Sequence, residues 1–101
     1  MGNYHMIKQQ NIYHVFGTGR DVPPDGSNSW LDYWKKNTGI SKPKCCIQNC
    51  GSDAEVGAHI RLTDKRDAPI YIVPTCEKHN LQGKAEKQMS VNRGIRAVPV
   101  N

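Results

Sequence analysis

KPKCCIQNCGSDAEVGAHIRLTDKRDAPIYIVPTCEKHN, residues 42–80, carries all four cysteines of the chain and two of its four histidines. The cysteines and His79 sit at its two ends. Cys76 and His79 are three apart where a strand runs into a helix, a spacing that puts both on one side of a turn. The loop at the other end offers Cys45, Cys46 and Cys50, followed at once by Gly51. Thiolates and an imidazole in tetrahedral array are the donor set of zinc. Cys45 with Cys50 gives C-x4-C and Cys46 with Cys50 gives C-x3-C, whereas the usual knuckle is C-x2-C. Cys45 is preferred, because Ile47-Gln48-Asn49 can then form a widened turn, with Cys46 packed as a small apolar side chain or lying near the metal as a spare thiol. The expected centre is one structural zinc per chain on Cys45, Cys50, Cys76 and His79, with His59 as an alternative to His79.

Between the two ends, VGAHIRL (56–62) and IYIVPTC (70–76) read as strands of a hairpin with a long polar connection. EKHNLQGKAEKQM (77–89) reads as a helix that Gly83 weakens. GIRAVPVN (94–101) reads as a terminal strand, and Pro99 points to an edge position. Upstream, SWLDYWKKNTG (29–39) is a short helix with Ser29 as cap, Asp32 in its first turn and Gly39 past its end. Its Trp30, Tyr33 and Trp34 make an apolar stripe best read as core. The preceding residues are polar, with IYHVF (12–16) as a possible short strand and turn signals at Gly17–Gly19 and Pro23–Gly26. Residues 1–28 are therefore expected to form a polar, partly mobile arm, and residues 29–101 a single zinc-binding domain.

Composition supports a staple. Only 37% of the 101 residues are hydrophobic and 7% aromatic, thin material for a core. The opening MGNYHMIKQQ is too polar for a secretory leader, so a reducing, cytoplasmic setting is expected and disulfides are not. The adjacent Cys45 and Cys46 also could not easily serve two disulfides. No apolar run approaches a membrane span. The formal charge of +5 is scattered rather than blocked. Lys42, Lys44, Arg61, Lys65, Arg66 and Lys84 are candidate contacts to DNA or RNA phosphates, and a protein partner is the other expectation.

Residues 44–84 resemble the treble-clef zinc domains, and within them the His-Asn-His nucleases. GAHI (57–60) looks like the strand that bears the water-activating His in such enzymes, and PTCEKHN (74–80) like the motif in which two zinc ligands flank the helix start. The resemblance implies an α+β treble clef of knuckle, hairpin and helix with its core over 44–89, plus an extra N-terminal helix and a terminal strand. It also implies His59 as general base and Asn80 as a magnesium or manganese ligand. The sequence departs from the pattern where Tyr71 takes the place of a catalytic Asn, Asn80 that of the last His and Ala58 that of an acidic residue. A structural zinc module that binds nucleic acid or protein without turnover is the expected function, and a His59-dependent nuclease is the alternative.

Overall fold

A computed structural model describes residues 2–16, 22–85 and 88–100, without the side chains of 82–85. In chain order the elements are β1 (His5–Met6), β2 (Asn11–His14), α1 (Trp30–Thr38), β3 (Val56–Arg61), β4 (Ile70–Thr75), α2 (Glu77–Ala85), β5 (Gln88–Ser90) and β6 (Arg96–Pro99). The strands form one antiparallel sheet of six, in the order β1-β6-β4-β3-β2-β5. The expected hairpin is its centre: β3 and β4 pair over their full length, from Val56↔Thr75 to Arg61↔Ile70.

The treble-clef expectation is corrected by this topology. Knuckle, hairpin and helix are present, but they are built into a mostly antiparallel sheet to which the two short helices are secondary. Residues 1–28, read as an arm, supply β1 and β2, and β2 lies inside the sheet between β3 and β5. The cause is apolar burial. Ile7 and Ile12 are 1% and 0% exposed and join Cys46, Ala58, Ile60, Val73, Met89, Val91 and Ala97 in one cluster. Ile7 follows the strand at one end of the sheet order and Met89 belongs to the strand at the other. A sheet whose two ends meet in one cluster must curl around it. The turn expected at Gly17–Gly19 lies outside the described residues.

The helix expected over 77–89 stops at Ala85, and Gln88–Ser90 is a strand paired with Asn11–Tyr13. Met89 and Val91, both buried, are two apart with polar Ser90 between them. That is strand periodicity, and one face of it meets Ile12. Pro99 lies in β6, which has neighbours on both sides, but β1 covers only Arg96 and Ala97. The missing N–H of Pro99 therefore leaves no ladder bond unmade.

Helix α1 forms where its caps dictate. The Ser29 hydroxyl accepts from the Asp32 N–H at 3.0 Å, and Gly39 closes the helix at φ 75° with its N–H on the Lys35 carbonyl. Tyr33 and Trp34 pack with Ile72 and Val98 in a second cluster. Their polar tips are used as well: Tyr33 Oη and Trp34 Nε1 donate to the Pro99 and Arg96 carbonyls, each at 2.7 Å. The start of α1 rests directly on β3 at Gly57. An ideal Cβ there would stand 2.7 Å from the Trp30 carbonyl carbon and 2.8 Å from the Leu31 nitrogen. No helix among the described residues is long and apolar enough to cross a membrane.

Candidate metal centre

The knuckle is anchored on β4 where its pairing with β6 stops. In β4, Ile72 pairs with Val98 of β6, but Pro74 lies beyond the last β6 pairing. Pro74 has no N–H to satisfy, and its carbonyl accepts from the Cys46 N–H at 2.8 Å. The Cys46 carbonyl accepts in turn from Asn92 at 2.8 Å, and Gln48 donates to the Ser90 carbonyl at 3.0 Å. The loop is thus sewn to β4 on one side and to the β5 region on the other. Within it, Cys50 N–H bonds the Ile47 carbonyl at 3.2 Å, closing a tight turn whose third residue, Asn49, takes φ 68°. Asn tolerates this left-handed conformation better than most residues, and Gly51 follows at φ 71°. This turn absorbs the residues by which C-x4-C exceeds a short knuckle.

On the opposite side, Cys76 closes β4 and His79 lies in the first turn of α2. Glu55 holds that helix start, its carboxylate accepting from the Glu77 N–H at 3.1 Å. The ligand atoms of Cys45, Cys50, Cys76 and His79 all fall within 4.8 Å of one another. Cys50 Sγ is 3.8 Å from Cys76 Sγ, and His79 Nδ1 is 3.1 Å from Cys76 Sγ and 3.7 Å from Cys45 Sγ. Tetrahedral zinc with bonds of about 2.3 Å to sulfur and 2.0 Å to nitrogen sets sulfurs about 3.8 Å apart and sulfur and nitrogen about 3.5 Å apart. The cluster can hold a metal ion and fits zinc in both donor type and size.

The three cysteines of the knuckle differ sharply in environment. Hydrogen bonds from the Ser52 backbone and side chain bring the Cys50 thiol down to about 6. Burial pushes Cys45 up to about 11. Burial, reinforced by the neighbouring thiols, raises Cys46 further still. Cys46 is 0% exposed and belongs to the apolar cluster, the packing role expected for it. Cys50 is thus the thiol most ready to meet a cation as thiolate, while Cys45 needs the ion itself to favour its charged form.

His59 is 5% exposed and meets Trp30 edge to face, ring centroids 4.7 Å apart. It stands apart from the four-residue cluster, which takes His79 as its imidazole. His59 and Asn80 line one cleft of ≈ 540 Å³. So does His14, a residue given no functional role from the sequence; its Nε2 donates to Asn80 Oδ1 at 3.3 Å. Alternation along IYHVF was the available signal, since it sets His14 on the same buried face as Ile12.

The six cations expected to contact nucleic acid do not share one patch. Arg61, Lys65 and Arg66 line a hollow of ≈ 130 Å³ at the far end of the β3–β4 hairpin. Lys42 and Lys44 lie by the knuckle, about 17 Å away along β3 at about 3.3 Å per residue. Lys44 is also engaged with Asp53. The Lys84 side chain lies outside the described residues. Comparison of this chain with known protein families, curated proteins and solved structures returned no match.

Proposed function

We propose that this protein is a small sheet domain stapled by one zinc ion, and that it binds nucleic acid through the tip of the β3–β4 hairpin. The observation that carries the reading is the convergence of Arg61, Lys65 and Arg66 on one hollow. The hairpin that presents them is rooted at its other end in the metal cluster, so the ion fixes the element that offers the charge. Cations placed this way meet phosphates and do not read bases. Titration with labelled DNA and RNA at two salt concentrations tests the proposal. Affinity is expected to fall steeply with salt, with a log–log slope of about −2 to −3 for three phosphate contacts. Arg66→Ala is expected to shrink that slope by about one. Absence of binding at low salt removes the reading and leaves a protein partner as the occupant of this surface.

The placement of His14, His59 and Asn80 around one cleft favours a second reading, a metal-dependent nuclease with His59 as general base and Asn80 presenting its amide oxygen to magnesium or manganese. Among the described residues of that cleft Glu55 is the sole carboxylate, and it is engaged at the start of α2. The test is plasmid cleavage with either ion by the folded, zinc-loaded protein. Loss of cleavage in His59→Gln with an unchanged amide spectrum supports this reading, and intact plasmid with every divalent ion removes it.

A further inference from the structure

The cationic hollow and the larger cleft share one wall. His14 lines both, with Tyr13, Arg61, Lys65 and Arg66 on one side of it and Phe16, Trp30, His59 and Asn80 on the other. A ligand seated in both must present negative charge to the first and a flat, partly polar group to the second. We infer that the pair is a single-strand nucleic-acid site, with a phosphate in the hollow at Arg61, Lys65 and Arg66 and an unpaired base in the cleft between Phe16 and Trp30.

Each part of the inference has its own support. Among the described residues the hollow holds one carboxylate, Asp64, against three cations, so their balance is positive. The cleft, at ≈ 540 Å³, lies within the range of about 300–1,000 Å³ typical of sites for small organic groups. Phe16 is 47% exposed although its ring leans edge-on against His14 at 5.2 Å, so one aromatic side chain is held at the mouth. Aromatic side chains beside a cationic track are how single strands are held without sequence readout. The backbone contributes as well. Beyond the bond from the Val15 N–H to the His59 carbonyl at 2.9 Å, β2 leaves β3, and the cleft opens beside the departing edge. Ladder alternation then turns the N–H and C=O of Gly57 toward the cleft, a donor and an acceptor for a base edge. A duplex keeps its bases stacked and paired and cannot place one there without unstacking it.

This inference rests on the nucleic-acid reading, and the experiment separates the two. The probes are a fluorescein-labelled oligothymidylate, an oligouridylate, an abasic strand of equal length, a duplex and polyglutamate, each titrated into the zinc-loaded chain at low salt. Trp34 is 3% exposed with its indole N–H on the Arg96 carbonyl, so quenching of intrinsic fluorescence reports Trp30. The base-bearing strands are expected to bind about tenfold more tightly than the abasic strand or the duplex, the scale of one base–aromatic stack, and to quench Trp30. Phe16→Ala, a change at an exposed side chain, is expected to abolish that preference while leaving abasic binding unchanged. Arg66→Ala is expected to weaken all the nucleic acids together. Equal binding of abasic and base-bearing strands, or no change with Phe16→Ala, overturns the single-strand inference while the phosphate reading stands. Tighter binding of polyglutamate than of any nucleic acid, or no nucleic-acid binding, overturns both.

Discussion

Stripping the ion with a strong chelator is expected to collapse the amide NMR spectrum of this protein and release one zinc per chain. The four ligands come from the knuckle, the end of β4 and the first turn of α2. Remove the ion, and three thiols and an imidazole are left with their ligand atoms within 4.8 Å of one another. Small zinc sites contribute about 10–16 kcal/mol of apparent binding free energy at neutral pH. Whole domains are stable by only about 5–15 kcal/mol. With 37% hydrophobic residues, this chain is not placed to make up the difference. Acid acts in the same direction, since the ligands bind the metal as thiolates and neutral imidazole, and protons compete for those atoms. Substitution separates ligand from core. Cys45→Ala, Cys50→Ala, Cys76→Ala and His79→Ala are expected to lose the ion, whereas Cys46→Ala retains one zinc and loses only a small apolar contact. A dispersed spectrum that survives chelation, with no metal in the sample, would sink the zinc assignment. Retained zinc in Cys45→Ala with loss in Cys46→Ala would reverse the choice of cysteine.

Gly57→Val is expected to destabilise the fold strongly without touching the metal cluster. At this position helix and strand touch through backbone alone. The three nearest atoms to an added Cβ are the Trp30 carbonyl carbon, the Leu31 nitrogen and Ile72 Cγ2, at 2.7, 2.8 and 2.9 Å. Two of these are main-chain atoms of α1, so relief requires the helix start to move. Overpacking of this kind typically costs about 1–3 kcal/mol, sometimes more. In a domain of this size that lowers the melting temperature by about 4–8 °C per kcal/mol. Gly57→Ala should show a smaller loss in the same direction. Thermal unfolding of the zinc-loaded variants is the measurement, and an unchanged midpoint for Gly57→Val would mean that α1 does not sit on β3.

The parts of this architecture legible from sequence are those specified locally. Ser29 and Gly39 mark the ends of α1 within a few residues of the helix they bound, and β-branched runs mark β3 and β4. Cys76 and His79 are three apart, and Gly51 marks the knuckle. What stayed hidden depends on partners far along the chain. His5 pairs with Ala97 and Ile12 with Met89, and two-residue β1 and three-residue β5 are too short for alternation to announce them. The polar spacing of the first residues therefore reads as an arm, although Ile7 and Ile12 complete the core. The resemblance to a treble clef had the same blind spot, since it covers residues 44–84 and is silent on what flanks them. Alternation along IYHVF gives the face His14 occupies, but not its contact with Asn80, which spans 66 residues. The dispersal of Lys42 and Lys44 from Arg61, Lys65 and Arg66 follows from the length of a strand, which sequence proximity conceals.

The position of β2 has a consequence for how the chain is made. The strand Asn11–His14 is inserted between β3 and β5, and among the described residues β1 pairs with β6 alone. On a ribosome delivering residues at about 5–20 per second, β2 must wait until Arg61 has emerged and β1 until Ala97 has. Closing loops of that length is slow and leaves β3 and β5 with open edges meanwhile. The ligands, in contrast, all lie between Cys45 and His79, so the knuckle, the hairpin and the first turn of α2 can capture their ion while β5 and β6 are still unmade. Metal supply during synthesis is thereby expected to control yield: a chain that meets its ion early presents a formed hairpin to its own waiting N-terminal strand, and a starved one presents unpaired edges to its neighbours.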